Sequence, residues 1–403
     1  MPQLRLLMLG RLCFITCWMT FTLVASWYVY ELTRSPFLLG MIGLAEAIPA
    51  IFGSLYSGHF VDQSRPHRVL VTSGIVLLLS LSALLMIVHL ESHFSKEWIL
   101  NALFLGIIIT GFVRSFVMPS VISLISKTVP ESALGAASAV SSSMQHMAQI
   151  LGPVLAGLVY GWFGKTLAFA FPVIAVFLAI IFVLRLDPSI REFRPSHLRE
   201  KFIPSFIAGL KFAFSKPVIL QAMTLDMLCV LFGGVLAVLP VFADQVYKVG
   251  PEQLGLLRAS SGLGSLVVSL WMAVAPPKVM TGKVLLFVVA GFGVATLAFA
   301  VTPWYWGGFI LLALCGAFDG VSMVIRQTLL QVLVPPQMRG RLSALNSVFV
   351  TSSNEIGAFE SGLAAQILGL VPSVVFGGTM TLLIVGMMCW KAVSLREARV
   401  QIG

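Results

Sequence analysis

The chain has 403 residues, of which 58% are hydrophobic and 10% charged, against roughly 25% charged in ordinary globular domains. A mean hydropathy of +0.98 excludes a water-soluble fold, because no soluble core hides that much apolar surface. The net charge of +10 matches a nucleic-acid binder in sign, but its placement accounts for it without nucleic acid.

A hydrocarbon core of about 30 Å takes about 20 apolar residues per spanning helix, and the long continuous runs here read as helices rather than alternating barrel strands. Arg5 and Arg11 precede an apolar run to Tyr30 that is too long for a signal-peptide core and has no small-x-small cleavage site, so it reads as a first span. The predicted spans are 8–30, 37–58, 69–89, 98–118, 134–160 and 165–184, then 217–243, 254–275, 284–302, 307–330, 342–368 and 372–392. The expected fold is therefore all-α and integral to the membrane, with twelve transmembrane helices. Residues 1–184 form an N-terminal six-helix bundle, 185–216 a polar cytoplasmic connector and 217–403 a C-terminal six-helix bundle.

Lysine and arginine set the orientation. With the N-terminus inside, nineteen fall at the cytoplasmic ends and loops, five (Arg34, Lys96, Lys165, Lys248, Arg258) fall outside, and Arg114 and Arg326 fall within spans. Both termini are then expected in the cytoplasm of a bacterial inner membrane. The five cysteines (Cys13, Cys17, Cys229, Cys315, Cys389) lie in predicted spans with no CxxC pair. His89 and His93 lack a third ligand at firm spacing and read as a solvated loop, not a metal site.

The two halves repeat. Ser35-Pro36-Phe37-Leu38-Leu39-Gly40 recurs as Gly250-Pro251-Glu252-Gln253-Leu254-Gly255, an offset of 215. Val129-Pro130 with Gly135, Gly152 and Gly157 recurs as Val334-Pro335 with Gly340, Gly357 and Gly362, an offset of 205. A near-constant offset is what two parallel six-helix repeats leave, and such folds carry their substrate near the midplane.

Three stretches carry a family resemblance. Gly58-His59-Phe60-Val61-Asp62-Gln63-Ser64-Arg65-Pro66-His67-Arg68 is a short charged turn between two spans. It resembles the loop between helices two and three of the major facilitator superfamily of secondary transporters, which implies that Gly58, Asp62 and Arg68 form a conformational latch. A carboxylate near a helix N-terminus is worth about 0.3–1 kcal/mol, enough to bias states a few kcal/mol apart. Gly43-Leu44-Ala45-Glu46-Ala47-Ile48-Pro49 looks like a helix-two stretch of the siderophore (enterobactin) and macrolide-exporter branch. Gly152-Pro153-Val154-Leu155-Ala156-Gly157, with Ala139 and Ala148 before it, is similar to the Gly-Pro signature of exporters in the fifth helix. Gly152, Pro153 and Gly157 also read, without the family, as a packing motif that lets a neighbouring backbone approach.

Ionisable groups inside spans cost about 2.5–3.5 kcal/mol each on insertion scales, so each is a functional candidate. They are Glu46, Arg114, Asp226, Asp319, Arg326, Glu355 and Glu360. Arg114 stands where the superfamily often has a fourth-helix arginine implicated in proton coupling, and its counterpart at offset 205 is Asp319. Glu46, Arg114, Asp319 and Glu355 are the charge-handling candidates, with His146 as a possible proton carrier. Seven residues separate Asp319 from Arg326, about 10 Å along the axis, so direct pairing is expected only with a bend or a bridging group. Arg326 reads as snorkelling, and Asp226 as a partner for connector lysines. Ser142, Gln145, His146 and Gln149 share one face of the fifth span, and Ser347, Thr351 and Asn354 recur at equivalent places in the eleventh. The two faces are expected to line one aqueous cavity, with Trp27, Trp18, Tyr28 and Met144 as an apolar wall.

GxxxxGK[ST], HExxH and the nucleophile elbow are all missing from the sequence, so it reads as neither an ATP-driven pump nor an enzyme, and as needing no cofactor and no metal. The expected function is secondary transport as a monomer in the lipid bilayer: proton-coupled export, by alternating access, of an amphipathic small organic molecule such as a siderophore, macrolide or other drug. The alternatives are proton-coupled uptake of a nutrient or metabolite, or a lipid flippase or non-transporting sensor on the same fold.

Overall fold

The computed structural model describes residues 2–130, 133–187, 202–275 and 279–401. Among them, helices α1 (Pro2–Thr33), α2 (Pro36–Gln63), α3 (Pro66–His89) and α4 (Lys96–Thr128) are followed by a helical run, Leu134–Leu184. Gly164, at φ 80 and ψ 173, divides that run into α5 and α6. Then come α7 (Phe202–Ser215), α8 (Pro217–Phe232), α9 (Pro251–Val274), α10 (Gly282–Val301), α11 (Tyr305–Leu333), α12 (Pro336–Leu368) and α13 (Leu370–Lys391). Leaving out α7, and counting α8 together with the turns that carry it on to Val246, these make twelve spans among the described residues, as the apolar runs predict.

The helix ends follow local chemistry. Proline opens α2, α3, α8, α9 and α12, where its missing N–H costs nothing. Ser95 caps α4 by accepting from Trp98 N, and Thr281 caps α10 by accepting from Val284 N, both at 3.3 Å. Gly164 and Gly369, with φ of 80° and 93°, are separated by the same 205-residue offset and make the same sharp break in each repeat. Only glycine adopts that backbone without strain.

Contacts divide the chain into two compact units, Met1–Arg34 with Ala45–Phe202 and Gly250–Leu256, and Ser35–Leu44 with Ile203–Val249 and Leu257–Gly403. In the first unit the fully buried Tyr28, Phe21 and Phe169 pack edge to face, with ring centroids 5.7 and 6.5 Å apart. In the second, Leu225, Leu285, Val289, Ile325, Leu329 and Ile384 form one apolar cluster.

The repeated glycines meet in pairs. In the first unit a methyl group on Gly157 would stand 3.1 Å from Cα of Gly255, and in the second one on Gly362 would stand 2.6 Å from Cα of Gly40. Gly40 and Gly255 are equivalent at offset 215, Gly157 and Gly362 at offset 205, so the same crossing is built twice.

Three expectations change. The segment Gly58 to Arg68 is mostly helix, because α2 runs on to Gln63 and only Ser64 and Arg65 turn before Pro66 restarts the chain; the surroundings of Gly58 and Asp62 lie outside the described residues. The seventh span is interrupted: α8 ends at Phe232, and Gly233-Gly234 leads through short 3-10 and π turns to Val246. Two adjacent glycines weaken the helix, and Gly234 lies so close to Gly357 O that a side chain there would collide. The connector is also more than a polar link, since its second part folds into α7. Pro276–Lys278 lie outside the described residues, but Val279–Thr281 pairs antiparallel with Arg399–Gln401 as a small ladder.

At one end of the first unit, Tyr28 donates to Glu91 at 2.8 Å, Lys165 pairs with the same carboxylate, and Tyr160 donates to Glu31 at 2.5 Å. Burial pushes the Glu91 carboxyl up, but the Lys165 and Tyr28 hydrogen bonds outweigh it and hold the group below its ordinary range. A carboxyl whose pKa is lower folded than unfolded stabilises fully above the unfolded value and loses that contribution as pH falls through the folded one. Between neutral pH and about pH 3, the thermal midpoint of the wild type is therefore expected to fall more steeply than that of Glu91→Gln. Parallel slopes would show that the pairing adds nothing.

The glycine crossings give a second expectation. Gly362→Val should cost about 1–3 kcal/mol by overpacking, seen as a lower unfolding midpoint in detergent. Gly135→Ala, at a Cα with open space around it, should leave the midpoint unchanged or higher.

Candidate functional site: buried ion pairs in each unit

In the first unit, Gly111 on α4 touches the backbone of Glu46 on α2, close enough that any side chain at 111 would collide with the Glu46 carbonyl. One turn further along α4, Arg114 Nη1 reaches Glu46 Oε1 at 2.8 Å, and Trp18 Nε1 on α1 donates to the same oxygen at 2.6 Å. The guanidinium carbon lies 3.5 Å from the centroid of the Trp18 ring, a cation–π contact. Glu46 is 5% exposed, so the carboxylate is desolvated and carries two donors in exchange for water. Sequence reasoning singled out Glu46 and Arg114 separately and placed Trp18 in an apolar wall. The structure makes one cluster of the three, with the indole as donor and π face.

The equivalent place in the second unit is built differently. Gly316 touches the backbone of Ser261 as Gly111 touches that of Glu46, and these positions match at the 205 and 215 offsets. Ser261 thus replaces the acid and Asp319 replaces the arginine. Arg326 supplies the countercharge: it pairs with Asp226 on α8, and its Nη2 lies 4.0 Å from Asp319 Oδ1. The expected gap between Asp319 and Arg326 closes because helical side chains lean toward the N-terminus, so Arg326 climbs back along α11, donating from Nε to Ser322 O at 3.3 Å on the way. Arg326 is 9% exposed and Asp226 7%, so the arginine does not snorkel, and Asp226 answers it. The Asp319 side chain is 46% exposed against 8% for Asp226, so Asp319 is the more accessible of the two acids.

The other candidates lie on α1, α3, α5 and α12. On α5, Ser142 is exposed and Gln145, His146 and Gln149 are half-buried, with His146 Nδ1 buried and lacking a hydrogen-bond partner. On α12, Thr351 and Glu355 are half-buried, Ser347 and Asn354 are exposed, and Asn354 Nδ2 donates to Val350 O at 2.9 Å. Trp27 is half-buried and tilts against Tyr30. Gly152 packs on Met19 and Gly157 on Gly255, the close approaches expected of the packing motif, with Pro153 between them inside the helix. Arg68 is exposed in the first turn of α3. A small cavity of about 10 Å³, room for about one water, lies where α8 breaks, lined by Phe232, Gly233, Val235, Thr296, Ser361, Ser373 and Val374, and includes no residue singled out from sequence.

The comparisons with known proteins agree with this architecture. Enterobactin exporters EntS of Escherichia coli O1:K1 and O6:K15:H31 are each 24% identical over 99% of this chain and 94% of their own length. The EntS of Shigella boydii serotype 4 is 23% identical over the same shares. Among solved structures, a POT family transporter in complex with 5-aminolevulinic acid superimposes with a TM-score of 0.75 at 10% identity, covering 98% of this chain and 96% of that one. A D-xylose-proton symporter gives 0.72 at 15% identity, covering 98% of each. The family model described as Major Facilitator Superfamily matches residues 7–358. A chain of twelve membrane helices in two six-helix repeats, matched to that model over most of its length, belongs to the Major Facilitator Superfamily of transporters.

Proposed function

We propose that this secondary transporter exports an amphipathic small organic molecule of the siderophore, macrolide or drug class from a bacterial cytoplasm. It works as a monomer in the inner membrane, by alternating access and in exchange for protons, with both termini inside. The buried pairs support this reading most directly: each unit keeps desolvated charges that packing alone does not require. The export direction is supported by relatives that align along nearly the whole chain and are themselves enterobactin exporters. The lysine and arginine asymmetry supports the orientation.

In this mechanism Asp319 carries the proton. Asp226 stays ionised as the fixed counter-ion of Arg326, while the exposed Asp319 gains and loses its proton beside the same guanidinium. Neutralising Asp319 leaves Arg326 held by Asp226 alone; ionising it draws the guanidinium between two acids. Glu46 and Arg114 hold the matching charge in the first unit, with Trp18 fixing the carboxylate. Glu355 and His146 are further titratable groups on the path, and Trp27, Ser142, Gln145, Gln149, Ser347, Thr351 and Asn354 contact cargo. Asp62 and Arg68, with Gly58, bias the conformational change.

Uptake is the competing reading, since a D-xylose-proton symporter shares the fold. Deleting the protein should lower secretion of a siderophore such as enterobactin or tolerance to a macrolide, and substrate should drive proton release from inverted vesicles but not from right-side-out ones. Unaltered secretion and tolerance across a panel of siderophores and antibiotics, or proton-coupled flux only in right-side-out vesicles, would overturn export.

The charge clusters give separable outcomes. Arg114→Gln strands the buried Glu46 and should cost about 3–5 kcal/mol, measured as thermal stability in detergent, while Glu46→Gln, which leaves the half-buried Arg114, should cost less. The double variant should recover much of that stability while transport stays lost. Asp319→Asn should fold normally, keep substrate binding and lose the pH dependence of flux, whereas Asp226→Asn should destabilise the protein.

A further inference from the structure

We infer that α7 lies in the membrane interface and binds acidic phospholipid headgroups through its outward face, holding the connector against the bilayer. At fourteen residues, α7 is too short to span, and between Phe202 and Ser215 its one charge is Lys211. One face is packed: Gly209 and Ala213 are buried a turn apart. A methyl on Gly209 would stand 3.1 Å from Arg341 O, and Ala213 joins a cluster with Ile219, Val334, Leu342 and Leu345.

The other face repeats at helical spacing. Ile207 is 45% exposed and Phe214 63%, with Lys211 exposed between them. A helix wetted on this side would carry polar residues there. An apolar pair flanking one lysine instead suits an interfacial helix, its rings and branches in the acyl boundary and the lysine stem lying along them to reach phosphate.

The contacts of α7 set its depth. It packs on residues around the junction of α11 and α12 and passes through exposed Lys216 straight into α8, so it sits where three spanning helices leave the hydrocarbon. The sequence adds charge of the right sign: residues 185–216 hold seven lysines and arginines against three acids. Basic segments beside a membrane attract anionic lipid. No acid stands on the outward face of α7, so a headgroup meets no repulsion there.

The test uses the full-length protein with Cys13 and Cys389 replaced by Ser, carrying a nitroxide at Ile207→Cys or Phe214→Cys, in vesicles of phosphatidylethanolamine and phosphatidylglycerol. Both labels should be relaxed more by dissolved oxygen than by a water-soluble nickel chelate. A second measurement titrates phosphatidylglycerol into detergent-solubilised protein: the rise in unfolding midpoint of the wild type should be roughly halved in Lys211→Glu and kept in Lys211→Arg. Labels that meet mainly the nickel reagent would place the face in water, and labels shielded from both would place it under protein. Either result, or an equal lipid response in Lys211→Glu and wild type, overturns the inference.

Discussion

A charge inside hydrocarbon must bring its own solvent. That constraint decides more of this molecule than any packing preference, because every ionised group in a span has to find its dipoles and countercharges within the protein. Glu46 meets it with an arginine and an indole N–H on two neighbouring helices. Arg326 meets it with two aspartates and a backbone carbonyl. The helices bearing these groups are thereby fixed in rotation, since turning α2 or α11 by a third of a turn would strand a charge in apolar surroundings. The small residues then serve the same end: Gly111 and Gly316 bring neighbouring backbones close enough for short side chains to act across the gap.

The two repeats solve one geometric problem with different chemistry. The close backbone contacts recur at the expected offsets, yet the residues they position do not. Where the first unit sets a glutamate beside an arginine, the second sets a serine beside an aspartate, and its cation comes from two turns further along α11. The backbone is shared and the charge is not: the first unit holds a glutamate against an arginine, the second an arginine between two aspartates.

Much of this was legible in the sequence, and the rest was hidden for physical reasons. Twelve apolar runs, the offset between halves and the cost of each buried charge can be read without coordinates. The partners of those charges cannot, because pairing depends on which helices adjoin and how each is rotated, and neither leaves a trace at fixed spacing. Trp18 is ambiguous in sequence because an indole is both an apolar slab and a donor, and only its neighbours decide which matters. The approach of Arg326 to Asp319 is not legible from axial distance alone; the lean of a long side chain toward its helix N-terminus supplies the missing reach. The connector's average hides its parts: its basic first part masks an amphipathic second part, α7, visible once the fourteen residues Phe202–Ser215 are taken separately.

The exchange of short segments between the units carries its own consequence. Ser35–Leu44 is counted with the second unit and Gly250–Leu256 with the first, so each half of the gene encodes the finishing piece of the other half's fold. A severed gene would not yield two self-sufficient products. Its fragments would each be left wanting about two to three turns of helix, and they would become whole only when made together in one cell.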